Sequence, residues 1–430
     1  MTAIARTNPI RTAVRGSILL FVPFVLFSAP SAAAKTCNAD SYGARHDGTT
    51  DDTHAIQRAI DDCGAGDQII LTHGVYLSGP LTLSSGDTFV VSQGATLLGT
   101  PDHTAYPGKN AARPNALISA DGASHITLTG SGTIDGNGAS WWSDFKRARA
   151  DHSTPVPRPR IVYLRDVSDV HVSGLTLQNS PSFHLVLERA KGVVVDHVTI
   201  RITAADPADA LSTDGIDVSG QNMLFQNLLI DVGDDHIAFK SGYSRPHLEF
   251  ATNNITVKDC KFLRGHGLSI GSQVTGGVTN ITVENIVFEG SRYGIRIKTD
   301  RKDGGNISNI TYRNITMVNV QDPIMMTDYY PSTLDNTNAD DTAQPVGPHT
   351  PMVRHIVLQH IDIRGSKYAG RFFGLPESPL HDIKLTDVSI RAQRGMVVRN
   401  ADIKIDGTVQ VEYGSTFVYQ NGGSVTANLR

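Results

Sequence analysis

A four-position apolar pattern recurs through most of the 430-residue chain and limits the folds that it can adopt. Apolar residues stand at positions i, i+2, i+5 and i+7, which is typical of two short strands separated by a bend. Clear copies begin at Val170, Val193, Met223, Ile255, Ile281, Ile310, Ile356 and Ile383. Successive copies begin 23 to 46 residues apart, so each copy has the size of one supersecondary unit.

One such unit cannot bury its apolar row alone, whereas stacked units can lay each row on the next. We therefore predict an all-β fold, a single-domain right-handed parallel β-helix of roughly ten coils. The handedness follows the strong preference of parallel crossover connections. A β-sandwich also contains short alternating strands, but it would show turn signals about every 8–12 residues.

The amino-terminal segment has the pattern of an export signal. Three arginines precede an apolar run from Ser17 to Ala29, which is too short for an ordinary membrane-spanning helix, and small residues follow at 32–34. We predict a signal peptide over residues 1–34 and one β-helix domain over residues 35–430. An uncleaved membrane anchor is the alternative. We expect the mature protein to be extracellular or periplasmic, free of the membrane and monomeric.

The start of the mature chain carries a helix signal and two cysteines. Residues 51–60 predict a short amphipathic helix, capped by its two leading aspartates, that covers the open first coil. Cys37 and Cys63 could pair in an oxidising compartment. Cys260 occupies an inward slot of the repeat, where a small buried apolar residue is expected, and this favours the pairing of the other two. Three free thiols are the alternative.

Composition limits the partners of the chain. Hydrophobic residues make up 40% of it, which excludes wholesale disorder. The formal net charge is −4, and without the three leader arginines 35 basic residues face 42 acidic ones. A nucleic-acid-binding protein would usually be basic, so we predict no nucleic-acid partner.

A second inward row is accompanied by polar residues. Its inward positions are Leu185, Ile216, Ile237, Leu268, Ile295 and Ile324. The polar residues near them are Asp214, Asp234, Asp235, Lys240, His266, Tyr293, Arg296 and Lys298. Because hydrogen-bonded strands lie about 4.8 Å apart, these groups should form one compact patch on the outside of a wall.

Such a cluster of acids has a chemical meaning. Three neighbouring carboxylates are costly, because like charges raise one another's pKa, so their coincidence in register indicates function. A protonated acid can donate a proton while an ionised one activates water, which is what glycoside hydrolysis requires. Taken singly, each residue is more simply a turn aspartate, a loop histidine or a solvated strand face.

Four ordered motifs resemble those of glycoside hydrolase family 28, the polygalacturonases of pectin breakdown. They are Thr213-Asp214-Gly215, Gly233-Asp234-Asp235, Gly265-His266-Gly267 and Arg296-Ile297-Lys298. Residues 42–57 and 132–136 also look like the family, so the resemblance covers nearly the whole mature chain. It implies a single-domain right-handed β-helix that hydrolyses α-1,4-galacturonan with inversion, without a metal or other cofactor.

The resemblance also implies roles for the acidic residues and the histidine. Asp234 would be the general acid that protonates the glycosidic oxygen. Asp214 and Asp235 would hold and deprotonate the attacking water, and His266 would tune the acid. Neighbouring coils would place Asp214 and Asp235 nearer the short carboxylate separation of retaining enzymes, whereas the resemblance implies inversion.

Substrate binding is carried over in the same way. Arg296 and Lys298 would bind a galacturonate carboxylate, the arginine through its planar fork and the lysine as a point charge. Lys240 joins them as a substrate-binding candidate. A tyrosine after the last motif would contact the sugar, and both Tyr329 and Tyr330 are candidates.

Two positions depart from the family pattern. Ser212 stands where the family usually has Asn, so this substrate-binding candidate keeps a hydrogen-bonding group with a shorter reach. His236 follows the aspartate pair where other members often carry Cys or Asn, and we expect it to affect packing or a nearby subsite.

Several alternatives stay open at this point. A hydrolase of decorated pectin (xylogalacturonan or rhamnogalacturonan) would share most of these motifs. A pectate lyase would need a Ca²⁺ site and an Arg or Lys base, and a carbohydrate-binding solenoid would need no catalysis. Endo or exo action depends on loops that close the cleft, here residues 137–160 and 329–352.

Overall fold

The computed structural model describes Met1, Thr2 and residues 34–430 except 108–114, 205, 207–208, 243–249, 303 and 333–340. The predicted signal peptide lies outside the described residues apart from its two ends, as does part of the 329–352 loop. Lys35–Arg430 forms one compact unit. Among the helices of the described residues, none is long and apolar enough to cross a membrane.

Twenty-eight strands of the described residues belong to one sheet, and the pairings along it are parallel. The strands are β1 Thr36–Asn38, β2 Asp47–Asp51, β3 Gln68–Leu71, β4 Gly74–Ser78, β5 Leu81–Thr82, β6 Thr88–Val91, β7 Ala95–Gly99, β8 Ile118–Asp121, β9 Ser124–Gly130, β10 Thr133–Asp135, β11 Val162–Arg165, β12 Ser168–Ser173, β13 Thr176–Gln178, β14 Leu185–Asp196, β15 Thr199–Arg201, β16 Ile216–Gln226, β17 Leu229–Asp231, β18 Ile237–Phe239, β19 Thr252–Phe262, β20 Leu268–Gly271, β21 Val278–Glu289, β22 Tyr293–Lys298, β23 Asn306–Val318, β24 Asp322–Thr327, β25 Met352–Phe373, β26 Leu380–Arg399, β27 Ala401–Gln420 and β28 Ser424–Leu429. The helices are α1 Thr53–Asp62 and α2 Ala139–Ala150, with 3-10 turns at Ala39–Tyr42 and His103–Ala105.

The predicted four-position pattern forms the inward rows of two walls. Ile255, Val257, Cys260 and Phe262 of β19 lie in register with Ile281, Val283, Ile286 and Phe288 of β21, and all of them are buried. The first wall continues in the same way from β1 to β28, through rungs that lack a clear sequence copy. The prediction of a parallel β-helix is therefore confirmed, and a β-sandwich, whose sheets are antiparallel, is excluded.

Asparagines occupy corners between the walls. Asn222, Asn254, Asn280 and Asn309 all have φ between 55° and 60°, in the left-handed region that Asn tolerates better than most residues. Their side chains form ladders along the solenoid. Nδ2 of Asn254 donates to Oδ1 of Asn222 at 3.2 Å, and Nδ2 of Asn309 donates to Oδ1 of Asn280 at 3.3 Å.

The predicted amino-terminal helix is present as α1. Its buried residues Ile56 and Ile60 pack into the main core. The predicted cap is corrected in one respect. The carboxylate of Asp52 accepts from the backbone amides of Arg45 and His46 (2.6 and 3.0 Å) instead of from the helix. Its role is to hold the preceding loop against the helix start.

A disulfide closes the same end of the unit. It joins Cys37 of β1 to Cys63 at the end of α1, with the two Cα atoms 6.1 Å apart. Cys260 is a buried free thiol in an inward slot.

A third wall holds the polar cluster. The row predicted from the sequence, from Leu185 through Ile216 and Ile237 to Ile324, is in register at every step and fully buried. Because side chains alternate across a strand, the residues one and three after this row face outward. The turns that lead into the strands bring the acids two residues before the row onto the same surface, where Asp235 contacts Ser269, Arg296 and Lys298. Strands and turns together bring residues from five coils onto one surface.

Candidate active site

Three turns at the starts of β16, β18 and β20 carry Asp214, Asp235 and His266 onto the third wall. Hydrogen bonds beyond the strands keep these turns in register: the amide of Gly215 donates to the carbonyl of Asp235 at 2.9 Å, and the amide of His236 to that of Gly267 at 2.9 Å. The side chains that precede the inward row therefore stack from coil to coil. The sequence prediction that they converge agrees with this geometry.

Asp235 is the most buried acid of the cluster, with 1% of its surface exposed. Its carboxylate accepts from Nζ of Lys298 at 2.6 Å, from Oγ of Ser269 at 2.8 Å and from Nη1 of Arg296 at 3.3 Å. Burial alone would raise the pKa of Asp235, but the charges of Lys298 and Arg296 outweigh it and hold the pKa below its ordinary value. Asp235 is an ionised carboxylate at neutral pH.

Asp234 is the most accessible acid, with 27% of its side chain exposed. Its Oδ1 atom lies 2.9 Å from Nδ1 of His266 and accepts the backbone amide of Asp235 at 3.0 Å. The imidazole of His266 stands edge-on to the ring of Tyr293, with the ring centres 5.9 Å apart. Asp234 is thus oriented by two contacts while its carboxyl group faces the open side of the wall.

Asp214 sits beside a fourth acid, Asp217, which the sequence analysis did not select. Both are buried, and burial together with the charges of Asp217, Asp234 and Asp235 raises the pKa of Asp214 well above its ordinary value. Nζ of Lys240 lies 3.9 Å from Oδ2 of Asp217. Asp217 lies three residues after Asp214, at an outward position of β16. This position in the repeat could have identified it from the sequence as a member of the acidic cluster.

A cavity of about 270 Å³ opens beside Asp217 and Lys240. Its wall on the far side includes Arg160, whose guanidinium carbon lies 5.4 Å from the ring centre of Tyr163 and 5.7 Å from that of Phe183. The acids are therefore flanked on this side by a basic group backed by aromatic rings.

The opposite side of the cluster is basic and aromatic. The guanidinium of Arg296 lies 4.1 Å from the ring centre of Tyr293. The ring of Tyr330 is 5.3 Å from Nζ of Lys298 and 5.8 Å from the guanidinium of Arg296. Tyr329 instead donates its hydroxyl to Asp341 at 2.7 Å. Of the two tyrosines left open by the sequence, Tyr330 adjoins the basic pair.

A basic residue missed by the sequence analysis enters from the 137–160 loop. Arg158 donates from Nη1 to the carbonyls of Pro181 and Leu211, both at 2.8 Å, and its guanidinium lies 3.8 Å from the ring centre of Phe145 in α2. Burial lowers its pKa to about 10 against the attraction of Asp214 and Asp234. Ser212, with φ of 54°, lies on the neighbouring turn.

His236 packs inside the wall and holds one turn of the candidate site in place. Its Nδ1 accepts from the amide of Gly267 at 3.1 Å, which leaves Nε2 to donate to the carbonyls of Leu263 and Arg264 (3.1 and 3.0 Å). Burial lowers its pKa to about 4, so it is neutral. Position 265 of this turn requires glycine, because a Cβ at Gly265 would lie 2.7 Å from Nε2 of His236. The expected effect of His236 on packing agrees with these contacts.

Asp234, Asp235 and His266 are also the group of described residues that could hold a metal ion, with one ligand atom of each within 4.8 Å of the others. However, Asp235 is already paired with Lys298 and Arg296, whose charges oppose a second cation. The arrangement suits proton transfer between carboxyl groups of different pKa better than metal coordination.

Comparisons with known proteins agree with this geometry. The sequence model of a family described as glycosyl hydrolases family 28 matches residues 64–394. An endo-polygalacturonase of Pectobacterium carotovorum subsp. carotovorum is 32% identical over 69% of this chain and 78% of its own length. A probable polygalacturonase of Vitis vinifera is 29% identical over 85% of this chain and 76% of its own.

Among solved structures, a hyperthermoactive exopolygalacturonase of Thermotoga maritima is similar, with a TM-score of 0.75 and 26% identity. The similarity covers 92% of this chain and 96% of that one. Sequence and structure comparisons therefore agree over most of the compact unit.

Proposed function

Because the chain belongs to glycosyl hydrolases family 28 and its relatives are polygalacturonases, we propose that it is a secreted polygalacturonase that cleaves α-1,4-galacturonate bonds of pectin with inversion. The observation that carries this proposal is the difference in pKa between two carboxyl groups of one cluster. Lys298 and Arg296 contact Asp235 and keep it ionised, whereas burial beside Asp217, Asp234 and Asp235 raises the pKa of Asp214.

This difference in pKa suggests how hydrolysis proceeds. Asp235 takes a proton from the attacking water, since it is the ionised carboxylate. Asp214 holds that water together with Asp235. Asp234, on the open side and oriented by His266, gives a proton to the glycosidic oxygen as the bond breaks. The raised pKa of Asp214 supports Asp235 as the base, whereas the resemblance alone implied that the two would share this role.

Galacturonate recognition is supported by the basic side of the cluster. Arg296 can pair with a sugar carboxylate through its fork, and Lys298 and Lys240 add point charges beside it. Tyr330, next to Arg296 and Lys298, is the tyrosine that we assign to a sugar contact. Pyranose C–H faces pack well on such rings, so the site combines charge with an apolar surface. Ser212 on the neighbouring turn completes the substrate-binding set.

The stereochemical course is tested on the first product. Proton NMR during hydrolysis of polygalacturonate should show the β-anomer of the new reducing end before mutarotation. An initial α-anomer would mean retention and would contradict inversion. Release of unsaturated sugars would instead indicate a lyase.

The catalytic assignment is tested by Asp235→Asn. We expect the release of reducing ends from polygalacturonate to fall by about 10³-fold, because the base is lost. Loss of the carboxylate also leaves Lys298 without its buried partner, so stability should fall by about 1–3 kcal/mol. Rates are therefore compared at a temperature where both proteins are folded by circular dichroism. Asp151→Asn, an exposed site at the end of α2, is the matched control and should keep full activity. A near-native rate in the Asp235 variant would refute the assigned centre.

A further inference from the structure

The outward row that carries the acids does not end at Tyr293. The register continues it through Asp322 of β24 to Tyr368 of β25, Arg394 of β26 and Tyr413 of β27. At about 4.8 Å per coil, the last three lie roughly 10, 14 and 19 Å from Tyr293 along the wall. Three further coils of the same surface thus carry two tyrosines around one arginine.

These residues line a groove of about 490 Å³. Tyr413 is 68% exposed, Arg394 is exposed and Tyr368 is half-buried, so all three can reach a ligand. The lining contains a second arginine, Arg371, and no carboxylate. Arg371 is paired with Asp322, so the exposed guanidinium of Arg394 is the charge that favours an anionic occupant.

Arg371 is held as part of the floor. It is buried, its Nε atom lies 3.0 Å from Oδ1 of Asp322, and its guanidinium is 4.9 Å from the ring centre of Tyr368. This pair fixes the ring of Tyr368 from below. Arg394 is therefore the charge directed at solvent, on a platform that the buried pair keeps in position.

An apolar surface connects the groove to the active site. Tyr293, Met325 and Phe373 form a cluster on the outside of the third wall, and Tyr329 and Val397 pack against it. Phe373 and Val397 also line the groove, while Tyr293 supports Arg296 in the active site. A chain leaving the acids toward the later coils would lie on this continuous surface.

We propose that the groove is a distal subsite that binds a galacturonate unit of the same substrate chain, an inference that rests on the proposed function. A pyranose unit is about as long as the spacing between coils, so successive units can follow the row from Tyr293 outward. A carboxylate of the distal unit would pair with Arg394. The C–H faces of the sugar would pack against Tyr368 and Tyr413.

The test is the dependence of kcat/KM on substrate length. The double variant Arg394→Ala/Tyr413→Ala should lose roughly five-fold in kcat/KM on polygalacturonate and long oligogalacturonides, in keeping with one solvent-exposed ion pair and one ring contact. It should match the wild type on the shortest oligomer that the wild type cleaves. Arg391→Ala, an exposed arginine of the same strand outside the groove, is the control and should change neither value.

Each outcome separates the two proposals. An equal loss at all lengths, or no loss at any length, would overturn the distal subsite while the wild-type activity still supports the proposed function. A changed sedimentation coefficient without a change in length dependence would assign the groove to a second copy of the chain and also overturn it. Failure of the wild type to hydrolyse polygalacturonate would refute the proposed function itself.

Discussion

Two buried acids of the candidate active site, Asp214 and Asp235, differ in pKa because of where the cations lie. Asp235 touches Lys298 and Arg296 directly, so it keeps its charge in spite of complete burial. Asp214 is also buried but faces other acids, and its pKa is raised. The positions of the cations thus separate the pKa values of two carboxyl groups on adjacent coils.

The raised pKa of Asp214 has a consequence for stability. Below the unfolded pKa of 3.8 the carboxyl group is protonated in both states and has no effect. As pH rises above that value the unfolded state releases its proton more readily, so wild-type stability is reduced. We expect Asp214→Asn to raise the melting temperature by about 2 °C or more at neutral pH, with the gain vanishing near pH 3.

Melting curves from pH 3 to 7 measure this difference, with Asp151→Asn as the matched surface control. A gain that grows toward low pH would contradict a raised pKa of Asp214.

For single residues, the sequence predicts where a side chain lies on the wall better than it predicts which groups that side chain contacts. The convergence of Asp214, Asp235 and His266 follows from counting two residues back from each inward position. The choice of Tyr330 over Tyr329 and the part played by Asp217 do not, because they depend on how far a side chain reaches across neighbouring coils. The entry of Arg158 depends on the path of a long loop, which has no repeat to anchor it.

Among the elements, the turns before the third wall carry histidine and glycine in alternate coils, at the position just before the inward row. His184, Gly215, His236 and Gly267 precede the inward row in successive coils. A Cβ at Gly215 would lie 2.5 Å from the carbonyl oxygen of His236, and one at Gly267 would lie 2.3 Å from that of Gly294. Both clashes are with the backbone of the next coil, so the close stacking of these turns requires glycine at the two positions.

Strand register is predictable here because every copy of the pattern uses the same four slots. The cap of α1 is not, since Asp52 has two possible backbone partners and the tertiary fold selects the preceding loop. The first coils also lack a recognisable copy of the four-position pattern. Strands such as β5 have only two residues, too few to show a period.

One inward slot carries a polar group that the core does not satisfy. Tyr312 of β23 is fully buried, and its hydroxyl has no hydrogen-bond partner among the described residues. Removing an unpaired buried hydroxyl recovers its desolvation cost, so Tyr312→Phe should stabilise the protein by about 1 kcal/mol. Urea unfolding measures the shift, and Tyr419→Phe, at an exposed position of β27, should give none. A loss of stability on Tyr312→Phe would indicate a hidden partner for the hydroxyl.

In the compact unit as a whole, each coil contacts only its neighbours, so the first coil has an open face that must be covered. The disulfide encloses a separation of 26 residues that includes α1. Such a loop contributes about 3 kcal/mol by restricting the unfolded chain. We expect Cys37→Ser/Cys63→Ser to lose about this much stability while keeping its activity at 25 °C, since the acids lie many coils away.

Denaturant unfolding with and without reductant checks this expectation. Reductant should bring the wild-type midpoint down to that of the double variant and leave the variant unchanged. Equal midpoints without reductant would mean that the bond contributes nothing.

The asparagine corners have a practical consequence for producing the protein. Asn254, Asn280 and Asn309 each begin an Asn-Ile-Thr sequon. A eukaryotic secretory pathway could attach an oligosaccharide to each before the coils stack. The attached sugars would then emerge about 4.8 Å apart from neighbouring rungs, closer than bulky glycans can pack, and would compete with the amide ladder. A bacterial host avoids this crowding, and replacing the three threonines with alanine would remove it in yeast.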